Sequence, residues 1–116
     1  IFSSIMSVFV TVGTTKFDAL IDALLSDDIL AMLASQGYNT LRLQVGNGAE
    51  PAVPANAPLN IDWYRLAKHE ALLADMAGAS LLISHAGAGS ILEGMRLRAR
   101  MVVVVNDALM DNHQTE

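Results

Sequence analysis

LLISHAGAGSILEG, residues 81–94, is the stretch that decides how the chain is read. An apolar run, Leu81-Leu82-Ile83, stops at Ser84 and His85. It passes through Ala86, Gly87, Ala88 and Gly89, then restarts as Ser90-Ile91-Leu92-Glu93. A short apolar run ending on small residues reads as a buried strand, and a serine ahead of a new apolar run reads as a helix start. A tight turn needs one glycine. Two glycines flanked by alanines, beside a polar pair, point to a place where something comes close to the backbone.

The same strand–loop–helix grammar recurs outward from this segment. SVFVTVGTT is a β-branched run closing on Gly13, which predicts a strand over 8–12 and a loop at Gly13, Thr14 and Thr15. From Phe17, apolar residues at Leu20, Ile21, Leu24 and Leu25 predict a helix. Ser26-Asp27-Asp28 is a cap signal, and a second helical segment runs to Gln36 with Gly37 just past its end. NTLRLQV alternates and predicts a strand over 40–45. Residues 46–60 hold all three prolines and form a loop. IDWYRL reads as a short strand, 66–77 as a helix with Leu66, Leu72, Leu73 and Met76 as its stripe, 80–84 as a strand, 90–97 as a helix and 101–105 as a strand. NDALMDNHQTE opens a loop and a further helix. Strands and helices in alternation, with near-continuous apolar strands, predict an α/β fold: a Rossmann-like, mostly parallel sheet with helices on both faces. In such sheets ligands lie outside the carboxyl ends of the strands, which are the ends carrying Gly13, Gly46, His85 and the residues from Asn106 onward.

Composition bounds the class. The chain of 116 residues is one domain's worth, read as a single domain over 1–116 with residues 1–6 as a disordered extension. Hydrophobic content of 53% is high and charged content of 16% is low, against usual values of roughly 45–50% and 25%. No apolar run approaches the roughly 20 residues that span a bilayer. The excess therefore goes to strands buried on both faces or to a surface that meets a partner. A net charge of −5 argues against sequence-independent nucleic-acid binding, the patch of Arg96, Arg98 and Arg100 notwithstanding. With no cysteine there is no disulfide framework or thiolate chemistry. The N-terminus lacks the basic region and cleavage site of a signal peptide.

Taken from the residues alone, the loop after Ile83 supports two readings. In one, the free N–H groups of a helix starting at Ser90 bind a phosphate, with Gly87 and Gly89 clearing the approach and Ser90 and His85 adding donors. In the other, Ser90 is an N-cap and the glycines only shape a turn. The dinucleotide fingerprint fails, because Leu92 stands three residues after Gly89, and the P-loop fails, because Met95 and Arg96 follow Gly94. Gly13, Thr14 and Thr15 likewise form either a second phosphate wall or a capped turn. Asn112, His113 and Gln114 can read sugar hydroxyls, or can sit on a solvated helix start with Asp111 as its cap. His69, His85 and His113 lack metal-ligand spacing. Glu93, Asp107 and Asp111 carry no signal of an acid–base pair, and Trp63 and Tyr64 read as core or interface residues.

Taken together, VFVTVGTTKFDALI, LISHAGAGSILE and VVVVNDALMDNHQTE, with QVGNG and IDWYRL between them, closely resemble the asparagine-linked glycosylation protein 13 family, the catalytic subunits of dolichol-pathway UDP-N-acetylglucosamine transferases. The likeness runs from about Ser7 to Glu116 in the same order. It implies the donor-binding half, glycosyltransferase family 28 C-terminal type, of a two-polypeptide GT-B enzyme. The implied reaction moves GlcNAc from UDP-GlcNAc to GlcNAc-diphospho-dolichol with inversion, without a metal or other cofactor. A membrane-anchored acceptor-binding partner of the asparagine-linked glycosylation protein 14 type would recruit the chain from the cytosol to the cytosolic face of the endoplasmic reticulum. The resemblance implies donor-diphosphate contacts at Gly13, Thr14, Thr15, His85, Gly87, Gly89 and Ser90, and donor-sugar contacts at Asn112, His113 and Gln114. It assigns the catalytic base to the acceptor half. The chain departs from the family at Arg98-Ala99-Arg100, where Gly-Lys-Pro is usual, and it stops within the Asn112–Gln114 helix, where relatives continue. The alternative is a C-terminally truncated, non-catalytic interaction module that keeps the fold and docks the membrane partner.

Overall fold

The computed structural model describes residues 6–85 and 100–104. The elements run β1 (Ser7–Thr11), α1 (Asp18–Leu24), α2 (Asp27–Ser35), β2 (Thr40–Gln44), β3 (Asn60–Tyr64), α3 (His69–Gly78), β4 (Leu81–His85) and β5 (Met101–Val104). The expected helix over 90–97 and the segment from Asn106 onward lie outside the described residues, as do residues 1–5. The Met6 carbonyl accepts the Asn39 N–H at 2.9 Å, tying the entry of β1 to that of β2.

All five strands pair in parallel, in the order β3-β2-β1-β4-β5. The sheet grows from β1 to β3 in one direction, then returns past β1 to β4. Right-handed crossovers in opposite directions place their helices on opposite faces. The packing follows that rule. Val8 and Val10 of one β1 face, with Val12 just past the strand, meet Leu20, Ile21, Leu24, Leu30 and Leu33 of α1 and α2, with Leu41 and Leu43 of β2. Phe9 and Leu82 on the other face meet Met76, Leu72 and Leu73 of α3. The strand period of two is what lets a single strand feed both cores.

Local signals set the element ends. Ser26 caps α2, its hydroxyl oxygen accepting the Ile29 N–H, and Gly37 turns the chain at φ +98 just past the helix. The third helix starts later than its apolar spacing predicts. Lys68 is extended at ψ 151 and serves as the N-cap, which leaves Leu66 outside the helix and 58% exposed. Between β2 and β3 the parallel connection carries no helix, only the irregular stretch 45–59.

One polar cluster braces the α3 side. Arg42 of β2 forks onto Asp62 of β3 with Nε and Nη2 at 3.0 and 3.1 Å, and reaches Asp75 of α3 at 2.8 Å. The Tyr64 hydroxyl donates to the other Asp75 oxygen at 2.7 Å. Asp62 above all, then Asp75, raises the Arg42 guanidinium, while burial and then the Asp75 bond push the Tyr64 phenol above its ordinary range. The folded chain thus holds the Tyr64 proton more tightly than the unfolded one. This contribution is complete below the unfolded value of about 10 and is lost as pH rises towards the folded one. Urea midpoints between about pH 9 and 12 should therefore fall more steeply for the natural chain than for Tyr64→Phe. Parallel declines would contradict this account.

Candidate functional site

The sheet order reverses between β1 and β4, and the crevice at the carboxyl ends of these two strands is where open α/β sheets take ligands. Gly13 stands just past β1, and His85 is the last residue of β4. They meet. A Cβ placed on Gly13 would lie 3.2 Å from His85 Cε1 and 3.7 Å from Nε2, so the imidazole packs directly against the Gly13 backbone. Gly13 holds φ +67, a left-handed conformation that a side chain rarely adopts. His85 Nδ1 is buried and has no hydrogen-bond partner among the described residues. A buried polar atom in that state costs on the order of 1–3 kcal/mol.

The three residues of the first loop differ in what they leave open. The Gly13 N–H is spent on Gln44 Oε1 at 2.9 Å, and the Thr15 hydroxyl donates to the Val12 carbonyl at 2.9 Å. Thr14 is exposed, and its hydroxyl makes no hydrogen bond among the described residues. The loop is clamped from the stretch after β2 by Asn47, whose side-chain amide donates to Thr14 O at 2.8 Å and whose N–H donates to Thr15 O at 2.9 Å. Asp18 completes the clamp by accepting the Ala49 N–H at 3.1 Å.

Beneath the crest runs a row of buried polar side chains, Gln44, Thr11 and Ser84, paired across three adjacent strands. Residue reading missed Gln44. In an alternating strand it has the look of a solvent-facing position, yet it is 2% exposed. Its bonding partners lie in β1 and in the loops after β1 and β3, all distant in sequence, so no local signal marks it.

The structure brings Gly13, Thr14, Thr15 and His85 to one sheet edge, together with Gly46 and Asn47. Gly87, Gly89, Ser90, Asn112, His113 and Gln114 lie outside the described residues. Among the described residues no three metal-ligating side chains gather, and no helix is long and apolar enough to cross a membrane.

Residues 7–116 match the profile of the glycosyltransferase family 28 C-terminal domain. The chain belongs to this family. It is 47% identical over 109 residues to the UDP-N-acetylglucosamine transferase subunit ALG13 of Mus musculus, covering 93% of this chain and 9% of that protein. The ALG13 subunit of Yarrowia lipolytica is 35% identical over 119 residues, covering the whole of this chain and 60% of that protein. The fold matches a solution NMR structure of ALG13 with a TM-score of 0.73 at 28% identity, over 95% of this chain and 70% of the other. The chain thus spans about a tenth of the mouse relative. As a family 28 domain with a Rossmann-like parallel sheet, it carries its switch point at Gly13 and His85.

Gly46 sets the spacing of this crest. It sits at φ +58, and a Cβ there would lie 2.1 Å from Thr15 O and 2.7 Å from Gly13 O. Gly78, with nothing within 4 Å, is the internal contrast. Gly46→Ala should lower unfolding free energy by more than about 2 kcal/mol, from left-handed strain plus the backbone clash. Gly78→Ala should be neutral or stabilising by up to about 1 kcal/mol. Urea unfolding of both variants checks the contrast, and similar losses at the two positions would remove Gly46 from this role.

Proposed function

We propose that the chain is the donor-binding subunit of a glycosyltransferase that moves GlcNAc from UDP-GlcNAc to GlcNAc-diphospho-dolichol. The observation that carries this reading is the contact at the switch point, where a left-handed glycine lies bare against an imidazole with an unpartnered buried nitrogen. Family membership and the names of the relatives support the donor's identity. Residues 1–116 form a single domain in this reading.

In the proposed site the donor diphosphate lies along Gly13, Thr14 and Thr15 on one side and His85, Gly87, Gly89 and Ser90 on the other, and Asn112, His113 and Gln114 hold the sugar. Thr14 supplies a hydroxyl free of intraloop bonds. As the glycosidic bond to the diphosphate breaks, negative charge builds on the departing UDP. Backbone N–H groups and an imidazole donor, held in place before the reaction, stabilise that charge. No metal or other cofactor takes part. The base that accepts the acceptor's hydroxyl proton belongs to a membrane-anchored partner of the asparagine-linked glycosylation protein 14 type. That partner holds the heterodimer at the cytosolic face of the endoplasmic reticulum. The relatives' designation as a subunit supports a partner of some kind.

Ligand-observed NMR tests the donor reading directly. Saturation should transfer to the uridine and GlcNAc protons of UDP-GlcNAc and be displaced by UDP but not by NADH. Gly89→Val should weaken the affinity at least tenfold by filling the approach to the backbone. Unchanged affinity in that variant, or displacement by NADH, would overturn the reading. Transfer to a lipid-linked acceptor after co-expression with the partner separates the enzyme from a docking module that binds but turns nothing over.

A further inference from the structure

We infer that Gln44 is a positioning residue of this site: one buried carboxamide brackets the peptide groups around Gly13 and holds that residue against His85. The inference rests on the donor-binding reading above and names a residue which that reading does not include.

The bonding is complete. Gln44 Oε1 accepts from Thr11 Oγ1 at 2.6 Å, from the Gly13 N–H at 2.9 Å and from the Val12 N–H at 3.1 Å. Nε2 donates to the Gly13 carbonyl at 2.8 Å and to the Arg65 carbonyl at 2.6 Å. Both of its protons and its oxygen are therefore in use. The orientation is unambiguous, because the oxygen faces two backbone N–H groups and the nitrogen faces two backbone carbonyls.

Gly13 offers its N–H and its carbonyl to the same planar group. That double contact fixes the rotations on either side of its Cα and so holds the φ of +67 that leaves the Cα face bare toward His85. Few side chains can do this. Glutamate keeps the acceptor but sets carboxylate oxygen against two carbonyls, asparagine is a methylene too short, and leucine offers neither donor nor acceptor. The Arg65 contact extends the hold to the turn after β3, so three adjacent strand ends are joined through one side chain. Gln44 touches no ligand in this account. It acts by keeping the wall of the diphosphate site in place.

The test uses the full chain, with UDP and UDP-GlcNAc as probes. Gln44→Glu keeps the shape and Gln44→Leu removes the polarity. In variants whose amide spectra show the native fold, both affinities should fall at least tenfold, and Gly13 amide exchange should accelerate at least tenfold. A purely structural residue would lower the melting temperature without changing affinity well below it. In the natural chain, the Gln44 side-chain amide protons should exchange slowly and shift when UDP is added, a readout that survives if neither variant folds. Folded variants that bind UDP within twofold of the natural chain overturn the positioning role alone. So do Gln44 amide protons that stay unmoved by bound UDP. Failure of the natural chain to bind either probe overturns the donor reading and this inference with it.

Discussion

The central position of β1, hydrogen-bonded in parallel to β2 on one side and β4 on the other, is the constraint from which the rest of the molecule follows. A strand enclosed in this way has no solvent face. Its residues alternate between two cores, Val8 and Val10 toward α1 and α2, Phe9 toward α3. Its carboxyl end must deliver the chain into the crevice where the sheet order reverses. Gly13 and His85 meet there because β1 and β4 are neighbours in register, Thr11 opposite Ser84.

Polar groups in so apolar a sheet are tolerated only when paired, since an unsatisfied buried amide or hydroxyl costs on the order of 1–3 kcal/mol. Thr11, Gln44 and Ser84 meet that condition: Thr11 and Gln44 bond each other, and the Ser84 hydroxyl donates to the His85 carbonyl at 2.9 Å. The contrast with His85 Nδ1 is informative. The buried row below the crest is saturated, and the one unpartnered buried side-chain polar atom among the described residues is the Nδ1 of His85 at the end of β4. A fully bonded layer thus lies beneath a strand-end residue whose buried ring nitrogen is left unpartnered. Arg42, by contrast, is matched by two carboxylates and serves the packing of α3 onto the sheet.

The sequence made the architecture legible wherever the signal was local. β-branched runs marked β1 and β5 to within a residue, Ser26 and Gly37 marked the ends of α2, and the glycines after β1 and β2 fell at the sheet edge. What escaped was non-local. Leu66 fits a helical stripe by spacing, but the extended backbone at Lys68 starts the helix later. Gln44 carries the alternation of a half-exposed strand, and its burial depends on the loops of β1 and β3, 31 and 21 residues away. Of the candidate site, Gly13, Thr14, Thr15 and His85 were readable as strand-end residues. The use of the Gly13 N–H by a glutamine was not, because hydrogen-bond partners across a sheet leave no mark on spacing.

The pairing of β1 with β4 also fixes an order of events during synthesis. Ser7 N–H donates to Ser80 Oγ across 73 residues of chain, so β1 waits for β4 before its second edge is satisfied. Contacts this distant are slow to form, because loop closure must precede any reward. Until residues 81–85 leave the ribosome, β1 has β2 alone beside it and an unpaired, strongly apolar edge. That edge is a ready template for wrong strand pairing. During that interval the crevice at the carboxyl ends of β1 and β4 is an open seam in a nascent chain of this topology, exposed to the wrong partners that chaperones keep away.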